Sequence, residues 1–192
     1  MEYQTRYKIY IDQGHNPINP NAGAEGNGLR EQDIVFRVGI LLRDLLEENG
    51  HFEVKLSRPT AETQLGTSQN TSLAARANGA NEWGADYFLS LHCNASASPE
   101  ATGSEAYVYS VSSPAYRLAE EILRRMNLST GLKNRGVMTR PSLYVLRKTA
   151  MPAALIELGF ITNPSDAAKL DGDPGAFARG IYNGILVYLG LS

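Results

Sequence analysis

An apolar, aromatic-rich run of strand length, Tyr87–Ala95 (YFLSLHCNA), carries polar residues at its carboxyl end. Side chains alternate across a strand, so His92 and Asn94 are predicted to point to one face and Cys93 to the other. Cys93 is therefore predicted to be a buried structural residue. A lone histidine is more often a hydrogen-bonded core residue than a ligand. Whether His92 is functional therefore depends on which other polar residues the fold brings near it.

Strand-like and helix-like segments alternate along the chain. Strands are predicted at Lys8–Asp12, Glu53–Ser57, Tyr87–Ala95, Ser104–Ser110 and Ala153–Glu157, and helices at about Arg30–Asn49, Ser72–Trp83, Pro114–Leu128 and Phe177–Leu189. The residues between 62 and 71 are predicted as a loop, and those between 134 and 146 as turns with weak strand character. This alternation indicates an α/β fold with a largely parallel sheet covered on both faces. We expect one domain, residues 1–192, with its core at about 8–189.

Composition excludes several classes of protein. The net charge is −2 and the basic residues are scattered, so nucleic acid is not a predicted partner. Cys93 is the single cysteine, which excludes an internal disulfide and a cysteine-based zinc site. No apolar run approaches the roughly 20 residues required to cross a bilayer, so no membrane span is predicted. Residues 1–10 lack the apolar segment of a signal peptide, so none is predicted here.

Four ionisable side chains stand where a parallel sheet would bring them together. His15, His92 and Glu157 each follow or end a predicted strand, and Glu31 lies in the first turn of the long helix. An acid in the first turn is ordinarily explained by the helix dipole. Glu31, however, falls on the same stripe as the buried Ile34. Because ligands bind beyond the carboxyl ends of parallel strands, we expect these four groups to converge.

Two imidazoles and one carboxylate form a common zinc site with a position left for water, and a further carboxylate can act as general base and acid. The sequence has no Gly-x-Ser-x-Gly turn, which argues against a serine-histidine-acid triad. It also lacks the glycine spacings of phosphate-binding loops. A metal-free pair of carboxylates would leave both strand-end histidines unexplained. The third histidine, His51, is predicted to be a surface residue in the turn after the long helix.

An ordered set of short motifs runs through the chain: Asp12-x-Gly14-His15, Gly28-Leu29-Arg30-Glu31-x-Asp33, Ser57-Arg58, Arg76-Ala77-Asn78, Ala85-Asp86, Ser90–Ala95, Gly103–Val108, Arg135–Val137, Val145–Arg147 and Met151–Asn163. In this set the chain resembles the zinc-dependent N-acetylmuramoyl-L-alanine amidases of the amidase 3 type, from Lys8 to Leu189. Each motif is weak alone, but their order is specific. Gln13 and Asn16 depart from the family, which usually has proline and glycine at these places.

The resemblance implies that His15, Glu31 and His92 bind one Zn²⁺ ion and that Glu157 is catalytic. It implies an α/β fold with a mixed, mostly parallel six-stranded sheet. The implied reaction is hydrolysis of the amide between the lactyl group of N-acetylmuramic acid and L-alanine in peptidoglycan. Glu157 would be the general base and acid for the attacking water at the zinc. A binding module without turnover and a zinc peptidase acting within the stem peptide are the alternatives.

Two further residues are predicted to contact substrate. Asn94 lies one pleat beyond His92 on the same face, so it is predicted to lie near the metal. The alternative for Asn94 is an amide that caps the following loop. Arg147 precedes the Glu157 strand and could bind a carboxylate of the stem peptide, since a guanidinium suits that geometry. The alternative for Arg147 is an ordinary surface arginine.

The expected partner is peptidoglycan, at the bacterial cell wall or outside the cell. No wall-binding domain is recognised in the sequence, and we expect a monomer. Residues 96–102 are too few for a helix that covers the site, because a helix rises only about 1.5 Å per residue. We therefore expect an open site that requires no activator protein.

Overall fold

The computed structural model describes residues 6–191, and these residues form eight strands and six helices. The strands are β1 (Tyr7–Gln13), β2 (Glu25–Gly26), β3 (Leu29–Arg30), β4 (Phe52–Leu56), β5 (Tyr87–Asn94), β6 (Ser104–Val108), β7 (Asn134–Thr139) and β8 (Ala153–Phe160). The helices are α1 (Glu31–Asn49), α2 (Gln69–Trp83), α3 (Pro114–Thr130), α4 (Tyr144–Lys148), α5 (Pro164–Gly172) and α6 (Pro174–Leu189). None of the helices in this range is long and apolar enough to cross a membrane.

The main sheet has six strands in the order β4-β1-β5-β8-β6-β7, and β2 pairs with β3 in a small separate sheet. Strands β4, β1, β5 and β8 run parallel to one another, whereas β6 runs antiparallel to β8 and parallel to β7. The predicted mixed, mostly parallel six-stranded sheet is confirmed. The carboxyl ends of β1, β5 and β8 consequently lie at one edge, close to the start of β6.

Alternate residues of the central strands face two separate cores, as the two-residue repeat of a strand requires. On the first face, Ile9 and Ile156 pack in a core that includes α1, α3 and α6. On the second face, Tyr10 and Leu155 pack in a core that includes α2 and α4. Cys93 is 4% exposed and lies in the first core, so its predicted buried position is confirmed. Helices therefore cover both faces of the sheet.

Over β6 and β7 the second face is not covered by a large helix. Helix α3 contacts both strands, and its buried residues belong to the first core. On the other side Tyr107 pairs with Met138, and Met138 is 39% exposed. Tyr107 shares its face with Leu155, its partner in β8, so this exposed side is the second face. We call the second face of β6 and β7 the open face.

Several predicted boundaries are wrong, and local hydrogen bonds explain two of them. Helix α2 begins at Gln69 rather than Ser72, because Ser68 and Thr71 form a reciprocal capping box. Helix α5 occupies a segment without a predicted helix, and the side chain of Asn163 caps its first turn. The short helix α4 lies where only turns and weak strand character were predicted. Helix α6 begins at Pro174, earlier than predicted.

Strand β8 continues to Phe160, although the sequence predicted its end at Glu157. Glu157 therefore lies within the strand and not at its tip. Its position still faces His92, a predicted neighbour, because it pairs with that residue of β5. On its other side it pairs with Glu105 of β6, which was not predicted. Paired residues share a face of the sheet, so these three side chains belong to the second face.

Candidate metal centre

The loop after β1 carries His15, whose backbone is in the left-handed region with φ of 64°. This conformation is uncommon outside glycine. A guanidinium nitrogen of Arg76 donates a 2.6 Å hydrogen bond to the carbonyl of His15 and so fixes the loop. Arg76 is itself held by a 2.6 Å ion pair with Asp12, and both side chains are 1% exposed.

The pKa of Asp12 reflects this pairing. Burial of the carboxylate would raise its pKa, but the charge and hydrogen bond of Arg76 and a hydrogen bond from Ser90 together lower it. Asp12 is thus ionised at neutral pH, and the buried pair is a fixed support beneath His15.

Asn16, which departs from the family pattern, holds the same loop. Its amide nitrogen donates to the carbonyls of Pro20 (2.8 Å) and Leu65 (2.9 Å). Its amide oxygen accepts the backbone N–H of Leu65 at 3.1 Å. A buried asparagine therefore ties two loop segments together by hydrogen bonds that a glycine could not make.

Glu31 is the first residue of α1, and its carboxylate is fixed by backbone donors. Its Oε2 accepts the N–H of Ala24 and its Oε1 accepts the N–H of Cys93, both at 2.9 Å. Oε1 also lies 3.1 Å from His15 Nε2 and 3.0 Å from His92 Nδ1. Burial would raise the pKa of Glu31, but the hydrogen bonds to the two imidazoles hold it well below its usual range.

The ligand atoms of His15, Glu31 and His92 all lie within 4.8 Å of one another. Glu31 is 4% exposed at its side chain and each histidine is 20% exposed, so the group is half-sheltered and open on one side. The structure thus brings together the three residues that were predicted as zinc ligands. His15 and His92 come from the shared edge of β1 and β5, and Glu31 comes from the first turn of α1.

Gly14 makes room for the His92 ring. A Cβ atom at this position would lie 2.5 Å from His92 Cε1 and 2.7 Å from the carbonyl oxygen of Leu91, far inside van der Waals contact. The backbone N–H of Gly14 also donates to that carbonyl at 3.0 Å, so the strands cannot separate easily to admit a methyl group.

Gly14→Ala is expected to displace the His92 ring and lower metal affinity by about tenfold or more, the scale found when a ligand loses its orientation. Competition with a chelator measures this affinity. Gly172→Ala is the matched control, because nothing lies within 4 Å of a Cβ at that position. Equal affinities in the two variants would contradict the steric role of Gly14.

Glu157 is partly buried, and its Oε2 is shielded from solvent without a hydrogen-bond partner in the described part of the chain. Burial, together with the charges of Glu31 and Glu105 and against the opposing charge of Arg140, raises the pKa of Glu157 to about 8. An unpartnered carboxyl group beside three converging ligand atoms has the freedom that a proton-transferring residue requires.

Glu105 is a buried acid next to Glu157 that the sequence did not single out. It accepts hydrogen bonds from Asn94 Nδ2 (2.7 Å), the Tyr107 hydroxyl (2.6 Å) and Arg135 Nε (2.5 Å). Burial would raise the pKa of Glu105, but these donors lower it. The only sequence signal was its place inside the motif Gly103–Val108.

The two lower-ranking candidates lie in different places. Asn94 binds Glu105 and also accepts the N–H of Ala95 at 3.0 Å, so it serves the loop, and substrate contact stays a prediction. Arg147 lines a cavity of about 340 Å³ with Tyr109 and Met151. A different cavity, of about 200 Å³, adjoins His15 and His92. Arg147 thus lines a different cavity from the proposed metal ligands, and its contact with the stem peptide stays a prediction.

The segment 96–102 contains neither helix nor strand and is attached to the connection between β8 and α5. The N–H of Ser96 donates to the Thr162 hydroxyl, and Asn163 donates to the carbonyl of Pro99. The short loop thus lies against its own domain, in agreement with the expectation that it forms no helical lid.

Comparison with known proteins gives the family. The model of the family Amidase_3, N-acetylmuramoyl-L-alanine amidase, matches residues 9–187. The chain is 41% identical over 193 residues to the N-acetylmuramoyl-L-alanine amidase CwlM of Bacillus licheniformis, which covers 96% of this chain and 70% of that protein. It is 39% identical to the sporulation-specific N-acetylmuramoyl-L-alanine amidase of Bacillus subtilis, over 93% of this chain and 66% of that protein. This chain belongs to the N-acetylmuramoyl-L-alanine amidase family.

Solved structures of amidases share the fold. The catalytic domain of CwlV from Bacillus (Paenibacillus) polymyxa is similar with a TM-score of 0.84 and 30% identity, over 97% of this chain and 99% of that one. The CwlD amidase of Clostridioides difficile, solved in complex with the GerS lipoprotein, is similar with a TM-score of 0.88 and 25% identity, over 97% and 100%.

Proposed function

We propose that this chain hydrolyses the amide between the lactyl group of N-acetylmuramic acid and L-alanine in peptidoglycan, with one zinc ion. The observation that carries the proposal is the convergence of His15 Nε2, Glu31 Oε1 and His92 Nδ1 on the strand edge that also holds Glu157. Membership of the amidase family supports the choice of bond and substrate. The site of action would be the bacterial cell wall or the space outside the cell.

The donor set fits zinc. Two imidazoles with one carboxylate are the usual protein ligands of a catalytic zinc, which has bonds of about 2.0–2.2 Å and one open position. Neighbouring ligand atoms of a tetrahedral zinc lie about 3.4 Å apart, close to the 3.0 and 3.1 Å found between Glu31 Oε1 and the two imidazoles. Zinc bound there would supply a Lewis acid for the carbonyl oxygen and a water acidic enough to lose its proton near neutral pH.

Glu157 would transfer the proton. Its free carboxylate oxygen accepts a proton from the attacking water, and the same group returns that proton to the nitrogen of L-alanine as the C–N bond breaks. Glu157 must be ionised to begin, and a cation at the neighbouring ligands would help to ionise it by lowering its pKa from about 8. The leaving group departs as a neutral amine.

Purified protein with zinc and isolated sacculi, with no other protein added, is expected to release stem peptides with free L-alanine amino termini. Mass spectrometry would find lactyl carboxylates on the remaining glycan. Removal of metal with a chelator should abolish release, zinc should restore it, and His92→Ala should resist restoration because one of three ligands is missing. His51→Ala, at the end of β1 opposite His15, is the matched control.

The same assay separates the alternatives. Shortened peptides that remain attached to the sugar would indicate a peptidase, and bound zinc without any release would indicate a binding module. Release in the absence of other proteins would support an open site that needs no activator, and the sedimentation velocity of the purified protein would test the expected monomer. If no peptide is released until a partner protein is added, that part of the proposal is contradicted. The CwlD amidase, which was solved in complex with the GerS lipoprotein, is the reason for testing this outcome.

A further inference from the structure

Arg140, directly after β7, has a guanidinium that makes no hydrogen bond or ion pair within residues 6–191. Its backbone N–H donates to the carbonyl of Val108 at 2.9 Å, which fixes the main chain. Its guanidinium carbon lies 5.0 Å from the centre of the Tyr107 ring. Within residues 6–191 no carboxylate lies within ion-pair distance of this guanidinium, and the residue is exposed. Arg135, by contrast, is paired with Glu105 at 2.5 Å.

The ring that supports Arg140 is itself held in place. The Tyr107 hydroxyl donates to Glu105 at 2.6 Å, and Glu105 is fixed by Asn94 and Arg135. Burial and the bond to Glu105 raise the pKa of Tyr107 to about 12, so the hydroxyl remains a donor at any working pH. A cation stacked on a fixed aromatic ring loses less side-chain freedom when it binds an anion.

The position of Arg140 connects it to the catalytic edge. Tyr107 and Glu105 both lie on the open face, and Glu105 is paired across the ladder with Glu157. The guanidinium is close enough to Glu157 to oppose the rise in its pKa. Arg140 therefore combines three properties: it is near the proposed proton-transferring residue, it is accessible, and its charge is unpaired.

We propose that Arg140 binds a free carboxylate on the peptide that leaves, at the residue after L-alanine, and so makes the site selective for acidic stem peptides. This inference rests on the proposed function. Two extended residues span about 7 Å, so the second residue of the leaving peptide lies about that far from the scissile bond. A guanidinium forms paired, charge-assisted hydrogen bonds with a carboxylate, and a carboxamide cannot accept them equally well.

Two soluble substrates that differ in one group test the proposal. N-acetylmuramoyl-L-alanyl-D-glutamate γ-methylamide has a free α-carboxylate on its second residue, and the D-isoglutamine γ-methylamide analogue has a carboxamide there, so neither keeps a free γ-carboxylate. Zinc-loaded wild-type protein is expected to prefer the acid about tenfold in kcat/KM, the scale of one charge-assisted interaction. Arg140→Gln should remove the preference by raising KM for the acid, and Arg140→Lys should retain part of it.

Arg179→Gln is the matched control, because Arg179 is an exposed arginine of α6 that is paired with Asp173, and the variant should keep the wild-type preference. The acid–amide comparison also separates substrate binding from a general effect of Arg140 on Glu157, which would slow both substrates equally. An equal loss on both substrates, an unchanged preference in Arg140→Gln, or no preference in the wild type would each overturn the inference. Cleavage of neither substrate by the zinc-loaded wild type would contradict the proposed function itself.

Discussion

Glu157→Gln is expected to lower peptide release by about 10²–10⁴-fold or more while zinc remains bound. Glutamine has nearly the same shape as glutamate but can neither take the proton from water nor return it to the leaving amine. The three proposed ligands His15, Glu31 and His92 are untouched by the change. Initial rates on sacculi, together with zinc content measured on the same preparation, check both parts. Near-wild-type release by a folded, zinc-loaded variant would remove Glu157 from the mechanism.

The stability of the metal-free variant gives an independent control on the environment of Glu157. Burial raises the pKa of this carboxyl from 4.5 to about 8 in the folded chain, so the folded state favours its neutral form. The stability associated with the neutral form is complete below pH 4.5 and is lost as the pH rises through 8. With chelator present, the melting temperature of Glu157→Gln should therefore equal that of the wild type at low pH. At pH 9 the variant should have the higher melting temperature. Equal melting temperatures throughout would show that Glu157 is not desolvated.

The metal centre could be predicted because it depends on strand ends and on one helical stripe. The chain places His15 and His92 after short apolar runs, and the three-residue spacing from Glu31 to Ile34 turns the glutamate inward. Glu157 was predicted to lie near His92 for a partly wrong reason, since β8 does not end there. The two residues are nevertheless neighbours, because the two-residue period of a strand fixes the face of a side chain wherever the strand ends.

The neighbours of Glu157 in β6 could not be predicted, because they depend on how distant strands pair. The sequence does not indicate that β6 pairs antiparallel with β8, so the pairing of Glu105 with Glu157 could not be predicted. The place of Arg147 relative to Glu157 could not be predicted for the same reason. Without knowledge of the short helix α4, sequence distance to Glu157 was the only guide, and the helix carries Arg147 to another cavity.

Arg76→Met is expected to lower the free energy of unfolding by about 3–5 kcal/mol, because it leaves the buried carboxylate of Asp12 without its cation. The guanidinium also donates at 2.6 Å to the carbonyls of Gln13 and His15, so the loop that presents His15 loses its support and zinc affinity should fall with stability. Urea titration of wild type and variant measures the first effect, and chelator competition measures the second.

The exposed pair Arg124–Glu121 supplies the matched control, since an ion pair in water contributes only about 0–1 kcal/mol. Arg124→Met should therefore unfold almost like the wild type. Asp12→Asn combined with Arg76→Met removes the unpaired buried charge and should recover part of the lost stability, because much of the cost is the isolated carboxylate. Zinc affinity should not recover, because the donor to the His15 carbonyl is still missing. Recovery of both properties in the double variant would mean that Arg76 neutralises Asp12 without positioning the metal ligand.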